Sequence, residues 1–332
     1  MTADDPVDPV EPAPGADVGG DTAEPGAVVD PVERASTVES RRAARRVTFE
    51  GVERVPGSPK PDAIVVADGV KRTFGGVTAV DVDHVEFQRG FITALIGPNG
   101  AGKTTFFNLL TGFDHADQGV WSFNGTPLRK VPAHKVARMG MVRTFQLTKA
   151  LTKMTVIENM RLGATGQSGE RLLPALFTMW RGQEAENTAL AEELLARFKL
   201  DHMRDEYAGS LSGGQRKLLE MARGLMTRPE LIMLDEPMAG VNPALTQSLL
   251  GHVKSLRDDG MSVIFVEHDM DVVHDISDWV VVMAEGSIIA EGTPTEIGRN
   301  QDVIDAYLGT HHGHDLHPEI AQHEATQHGT TQ

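Results

Sequence analysis

The 332-residue chain contains no cysteine. That excludes a disulfide scaffold, a thiol nucleophile and any cysteine-ligated zinc or iron–sulfur centre, and it suits a reducing compartment. Basic charge is also short: 31 Lys and Arg face 47 Asp and Glu, a formal net charge of −16. A protein that sheathes nucleic acid needs a basic footprint, so nucleic acid is not an expected partner. No stretch approaches the roughly 18 consecutive apolar residues that a membrane span requires. The most apolar runs, such as Trp279 to Ala284, are the length of a strand. The opening Met1-Thr2-Ala3-Asp4-Asp5 has neither the basic start nor the apolar centre of a secretion signal.

What is present divides into three parts. Residues 1–62 hold nine of the chain's 18 prolines, and up to residue 40 ten acidic groups face one basic group, Arg34. So little apolar area cannot offset chain entropy, and the segment reads as a disordered acidic extension. Inside it, Arg41-Arg42-Ala43-Ala44-Arg45-Arg46 is read first as a solvated charge run and second as a contact for anionic headgroups. From His311 onward, six of the 13 histidines fall in 22 residues without regular spacing. A flexible polar tail at 311–332 is expected rather than a metal site.

Between them, residues 63–310 alternate between strand-like and helix-like patterns. Ala63 to Ala67, Phe91 to Ile96, Leu231 to Leu234 and Ser262 to Val266 are short apolar runs. Val120 to Phe123 followed by Asn124-Gly125 predicts a strand entering a hairpin turn. Leu190, Leu194 and Phe198 recur at helical spacing. Buried strands separated by helices imply a largely parallel sheet covered on both faces.

The run ending at Ile96 leads into Gly97-Pro98-Asn99-Gly100-Ala101-Gly102-Lys103-Thr104-Thr105. Glycines let a backbone wrap a phosphate, the amides converge on it, and the following helix N-terminus adds its dipole. Lys103 then reaches the β- and γ-phosphates, and the Thr104 hydroxyl suits Mg²⁺. A second string, Leu211-Ser212-Gly213-Gly214-Gln215, opens another helix and offers a second anion site, this one without a lysine. A third, Leu231 to Leu234 followed by Asp235-Glu236-Pro237, delivers two carboxylates from a buried strand. Asp235 suits a Mg²⁺ shell, and Glu236 suits a general base acting on water. A fourth strand ends in Glu267-His268-Asp269, with His268 suited to a γ-phosphate.

Together these strings resemble the nucleotide-binding subunit of ATP-binding cassette (ABC) transporters over about Ala63 to Gly309, LSGGQ being that family's own signature. The resemblance implies an α/β P-loop NTPase with a RecA-like parallel core, plus antiparallel β and α-helical subdomains, the latter at about 147–226. It implies that Phe74 stacks on adenine, where the family more often has Tyr. Gln146 corresponds to the glutamine that touches Mg²⁺ and senses the membrane partner, and Ala239 to Pro243 stand at the D-loop. Two such subunits close head to tail, so Ser212, Gly213, Gly214 and Gln215 would meet ATP held by the other subunit's loop. The strings ARMGMVRTFQ, LDEPMAGVNP, EHDMDVV and DVIDAYLG look like the ATPases of branched-chain amino-acid importers, with urea-type importers similar.

The expected protein therefore hydrolyses ATP with Mg²⁺ on the cytoplasmic face of a membrane. Its expected partners are permease subunits, a second cassette (a copy or a paralogue) and, indirectly, a solute-binding protein. Leu147, Leu151, Met154 and Leu172 to Trp180 mark the expected permease contact. Cassette ATPases of chromosome maintenance fit less well, because only 109 positions separate Lys103 from Ser212, too few for a long coiled-coil insert.

Overall fold

The computed structural model describes residues 49–144, 151–164 and 180–312. Two sheets organise them. The first is antiparallel: β1 (Ala63–Phe74) lies between β2 (Val77–Gln88) and β4 (Gln118–Phe123), with the two-residue β5 (Thr126–Pro127) on the edge. The β4–β5 turn falls at Asn124-Gly125, both with positive φ, 50° and 71°. That is the geometry an Asn-Gly hairpin turn supplies.

The second sheet has six strands. They are β3 (Ile92–Ile96), β6 (Met141–Arg143), β7 (Leu231–Asp235), β8 (Ser262–Val266), β9 (Trp279–Ala284) and β10 (Ser287–Gly292). Their order is β10-β9-β3-β8-β7-β6, parallel except for the β9–β10 hairpin. Alternate residues of each central strand enter different cores. Ile92, Ala94, Ile96, Ile232, Leu234, Val263 and Phe265 face one apolar cluster, and Leu95, Leu231, Met233, Ile264 and Val266 face the other. Burial on both sides is why these strands read as unbroken apolar runs rather than alternating ones.

One of the two clusters joins the parallel sheet to the antiparallel one through helix α1 (Lys103–Leu110), whose Phe106, Phe107, Leu109 and Leu110 are buried. A short helix α2 (Ala133–Arg138) precedes β6. Between β6 and β7 the described residues hold α3 (Val156–Leu162), α4 (Trp180–Arg197) and α5 (Gly213–Leu225), which pack on one another. Asn159, fully buried at the start of this region, donates to the carbonyls of Leu151, Met154 and Thr155 and accepts from the Leu151 amide. It thereby satisfies the backbone of a loop that makes no ladder of its own. The remaining helices are α6 (Pro243–Asp258), α7 (Met270–Ile276), α8 (Pro294–Ile297) and α9 (Gln301–His312).

The acidic extension is expected from composition to run to residue 62, but its last part is packed. Phe49 is buried, stacked on Trp279 at 4.5 Å between centroids and edge-on to Phe91 at 4.8 Å. Lys60 Nζ donates to Glu291 Oε2 at 2.8 Å with both side chains fully buried, and Trp279 Nε1 and the Gly57 amide donate to the same carboxylate. Composition missed this because one aromatic and one lysine suffice once Trp279 and Glu291, distant in sequence, receive them. Residues 1–48, with the arginine cluster, and the tail beyond His312 lie outside the described residues.

Truncation separates the two parts of the extension. Phe49→Ala should lower stability by about 3 kcal/mol through the lost aromatic contact. Lys60→Met should cost about 3–5 kcal/mol by leaving Glu291 buried and unpaired. Removal of residues 1–46 should leave the urea midpoint unchanged. Equal midpoints for all three proteins would show that the packed segment adds nothing.

Candidate nucleotide site

Because β3, β6, β7 and β8 run parallel, everything that follows their last residues emerges at one edge of the sheet, where open α/β sheets bind ligands. The strand ends deliver Gly97 to Thr105 from β3, Thr144 from β6, Asp235-Glu236 from β7 and Glu267-His268 from β8. Thr144 is tied to the neighbouring strand by its amide on Met233 O at 2.9 Å.

The β3 loop depends on glycine at two places. Gly97 (φ 147°) and Gly102 (φ 97°) are each pressed against backbone: an added Cβ would stand 1.9 Å from Met283 O and 2.2 Å from Ala79 O. Gly100 (φ 80°) faces open space. Asn99, Gly100 and Thr104 are exposed and Thr105 half-buried, whereas Ala101 is buried and its carbonyl accepts from the Gly286 amide at 3.0 Å. Lys103 Nζ lies back along the loop, donating to Gly97 O at 2.7 Å and Pro98 O at 2.9 Å. Burial pushes its pKa down, opposed by the charges of Glu236 and Asp235. A lysine that feels both carboxylates places the loop and the acidic pair in one electrostatic neighbourhood.

Asp235 is buried, and Arg143 Nη2 donates to its Oδ2 at 2.6 Å while Nη1 donates to Asn108 Oδ1 at 2.6 Å. Arg143 thus compensates a carboxylate that would be costly alone in the core. It was not singled out from sequence, because its role depends on β6 lying beside β7. Glu236 is in the left-handed region at φ 46°, a conformation that costs a non-glycine residue about 1–2 kcal/mol. Its amide donates to Val266 O at 3.0 Å.

His268 leaves β8 with its side chain largely exposed, its Nδ1 3.9 Å from Glu267 Oε2. Glu267 itself is buried, accepting from the Met238 amide at 3.0 Å and the His268 amide at 3.4 Å. Burial raises its pKa against those two hydrogen bonds. Phe74, at the end of β1, is exposed, with the Arg72 guanidinium 4.4 Å from its ring centroid. Asp114 and Asp117 hold that guanidinium in turn.

The LSGGQ string forms the N-terminus of α5. Ser212 is the cap, accepting from the Gln215 amide at 3.3 Å, and Gln215 Oε1 accepts from the Ser212 amide at 2.9 Å. This reciprocal pair leaves Ser212 and Gly213 exposed, while Gly214 is buried with Leu245 of α6 against it. The capping box also fixes the serine hydroxyl and the first free amides at the positive end of a 13-residue helix. Gln146 lies outside the described residues, as do Leu147 and positions 172–179 of the expected permease contact. Leu151 is exposed and Met154 half-buried. Among the described residues no cluster of His, Asp and Glu forms a metal site by itself.

A glycine loop before a helix, an acidic pair at the end of β7 and a capped signature helix define a P-loop ATPase of the cassette type. A family profile described as "ABC transporter" matches residues 80–239, and another described as "Branched-chain amino acid ATP-binding cassette transporter" matches residues 287–313. The probable branched-chain amino acid transport ATP-binding protein LivG of Archaeoglobus fulgidus is 42% identical over 74% of this chain and 95% of its own length. The high-affinity branched-chain amino acid transport ATP-binding proteins BraF of Pseudomonas aeruginosa and LivG of Escherichia coli K12 are each 40% identical over 74% of this chain and 98% of theirs. Two crystal structures of ABC transporter cassettes, one nucleotide-free and one in the ADP conformation, align with TM-scores of 0.65 and 0.66. They are 36% and 37% identical, and each alignment covers 74% of this chain and 98% and 99% of theirs. The chain belongs to the ABC transporter family and is an ATP-hydrolysing subunit.

The loop geometry separates its glycines. Gly102→Ala meets backbone as well as positive φ and should cost more than about 2 kcal/mol, with loss of nucleotide binding. Gly100→Ala carries the backbone cost alone, about 1 kcal/mol. Urea unfolding with a nucleotide titration checks the order; equal losses for the two variants would contradict it.

Proposed function

We propose that this chain powers the import of branched-chain amino acids through separate permease subunits, working as one of two cassettes that close around ATP. The observation that carries the reading is the meeting of loop, acidic pair and His268 at one sheet edge, with Lys103 under the charge of both carboxylates. The relatives' names support the solute class, and the second profile covers the C-terminal part of the fold where a branch could differ.

In this reading the adenine ring stacks on Phe74, on the face not covered by Arg72. The amides from Asn99 to Thr105 wrap the phosphates. Lys103 turns from the Gly97 and Pro98 carbonyls to the β- and γ-phosphates, exchanging two neutral acceptors for charged ones. Glu236 takes the proton of the attacking water, and His268 steadies the γ-phosphate. The donor set is hard oxygen, which fits Mg²⁺: the Thr104 hydroxyl and the Asp235 carboxylate would hold it, with Gln146 added on the sequence pattern alone. Bound there, the ion would neutralise charge developing on the phosphates.

Ser212, Gly213, Gly214 and Gln215 would meet the γ-phosphate bound by the other cassette, a copy or a paralogue. Exposure of Ser212 and Gly213 at a positive helix end supports that use. Among the described residues no helix is long and apolar enough to cross a membrane. The chain would therefore sit peripherally on the cytoplasmic face, held by the permeases, with a solute-binding protein acting on their far side. Leu151 and Met154, beside the loop organised by Asn159, belong to the proposed permease contact.

Two variants test the chemistry. Glu236→Gln keeps the side chain's shape but not its basicity, so it should bind Mg-ATP while hydrolysing it about 10²–10⁴-fold more slowly. It should also accumulate closed dimers on size exclusion, with the paralogue added if the pair is mixed. Wild-type turnover would remove Glu236 from the mechanism. Lys103→Ala should nearly abolish ATP binding, because phosphate charge is then left without its cation; an unchanged titration curve would sink the phosphate-loop assignment. Uptake of radiolabelled leucine by vesicles carrying the co-purified permeases tests the solute class, and failure to transport any branched-chain amino acid would overturn it.

A further inference from the structure

We propose that Lys217 and Glu267 are positioning residues for hydrolysis, clamping from both sides the turn Glu236 to Ala239 that carries the base. The inference rests on the reading of Glu236 as that base. Lys217 lies on α5, five residues after Ser212, and its ammonium points into the turn rather than to solvent. It donates to Pro237 O at 3.0 Å and to Ala239 O, with Glu236 O at the long end of the range at 3.5 Å. Three carbonyls meet the three donors of an ammonium. From the other side Glu267 Oε1 accepts from the Met238 amide.

A half-buried ammonium and a buried carboxylate thus take up the polar groups of a four-residue turn. Desolvation lowers the pKa of Lys217, and Glu267 is the foremost charge opposing that shift; the burial of Glu267 is offset instead by the Met238 and His268 amides. The turn needs such a clamp. Glu236 sits in a left-handed conformation, and such geometry persists only where its surroundings over-determine it. Within and just after the turn, among the described residues, only two backbone bonds are made, from the Ala239 and Val241 amides to Glu236 O and Met238 O, both at 3.2 Å, the long end of the ordinary range. Beside it lies a cavity of about 20 Å³, the size of a single water, lined by Thr144, Lys217, Glu220, Asp235 and Glu236 among others. Without the clamp, the side chain that must face a water would sample several directions.

The clamp also joins parts of the protein distant in sequence. Lys217 stands about 7.5 Å along the helix axis from Ser212 at its cap, and Glu267 precedes His268. The helix that begins with the signature therefore holds the hydrolytic turn of its own subunit, and the strand that delivers His268 holds it from the other side.

The full-length chain tests this with Lys217→Met, Lys217→Arg and Glu267→Ala, and with Glu236→Gln as reference. Lys217→Met should lower kcat about 10²-fold, as misplacement of a catalytic group does, with KM for ATP changed less than threefold. Amide hydrogen exchange in the peptide 235–242 should accelerate while exchange in β3 and β8 stays as in the wild type. Lys217→Arg should recover part of kcat and of the protection. Glu267→Ala, an independent arm if Lys217→Met does not fold, should show the same local acceleration. A kcat within threefold of wild type for Lys217→Met and Glu267→Ala would overturn the proposal. So would loss of protection spread through β3 and β8, because that marks a merely structural role. Glu236→Gln should lose hydrolysis with exchange at 235–242 unchanged. If it turns over normally while Lys217→Met loosens the turn, the base assignment fails and the clamp stands.

Discussion

A phosphate loop works only if its backbone is held in a conformation that leaves its amides pointing at a ligand, and every other feature of the site depends on how that is achieved. β3 provides the anchor, paired on one side with β8 and on the other with β9 and buried on both faces. The loop itself is gripped by its neighbours. Gly97 lies against Met283 O, Gly102 against Ala79 O, and the Ala101 carbonyl takes the Gly286 amide, whose own carbonyl takes Asp81 N at 2.8 Å. The β9–β10 turn is thus a wedge between the loop and β2, linking the two sheets at the point where phosphate would sit. Positive φ at Glu285 and Gly286 gives that turn its tight shape.

The second constraint is electrostatic. Hydrolysis at a phosphate site calls for carboxylates, to hold a cation and to take a proton from water, close to a ligand that repels them. Carboxylates inside a core are costly unless paired. The structure meets this with dedicated cations. Arg143 serves Asp235, and Lys60 serves Glu291 well away from the chemistry. Lys103 is not spent in this way. Its hydrogen bonds go to carbonyls of its own loop, so its charge is not committed to a single carboxylate and is available to a ligand. Compensation elsewhere lets two acidic residues stand beside a phosphate loop without capturing its lysine.

The central strands β3, β7 and β8 and the three motifs at their ends were legible in the sequence because each is local. An apolar run of five residues followed by a glycine loop or an acidic pair needs no knowledge of its neighbours. Helix α5 could be read in the same way, from Ser212 at its cap. Arg143, Lys217 and Glu267 could not, since each acts through a backbone or carboxylate supplied by a different element. One signal was present for Lys217: a lysine one turn into an amphipathic helix, among positions that become buried. Glu236 was found as a carboxylate, but its left-handed backbone was not, because glutamate has no preference for that region. The boundary at residue 62 failed for a related reason. Composition averages over a window, whereas Phe49 and Lys60 are held by a few specific partners, foremost Trp279 and Glu291 of a distant hairpin.

That hairpin shows how the two ends of the fold bear on the site. Residues 49–60 cover β9 and β10 from outside, while β9 pairs with β3 on the inside. Helix α9 comes back to the same place: Tyr307 packs against the core, and burial raises the pKa of its phenol, with the Gly97 backbone near enough to oppose the shift. Removing either cover would not touch a phosphate contact. It would loosen β9, and with β9 the carbonyl of Met283 that presses on Gly97 and the turn that receives Ala101. The loop's geometry is therefore a property of the whole β2, β9 and β10 corner, built from segments at the two ends of the described chain.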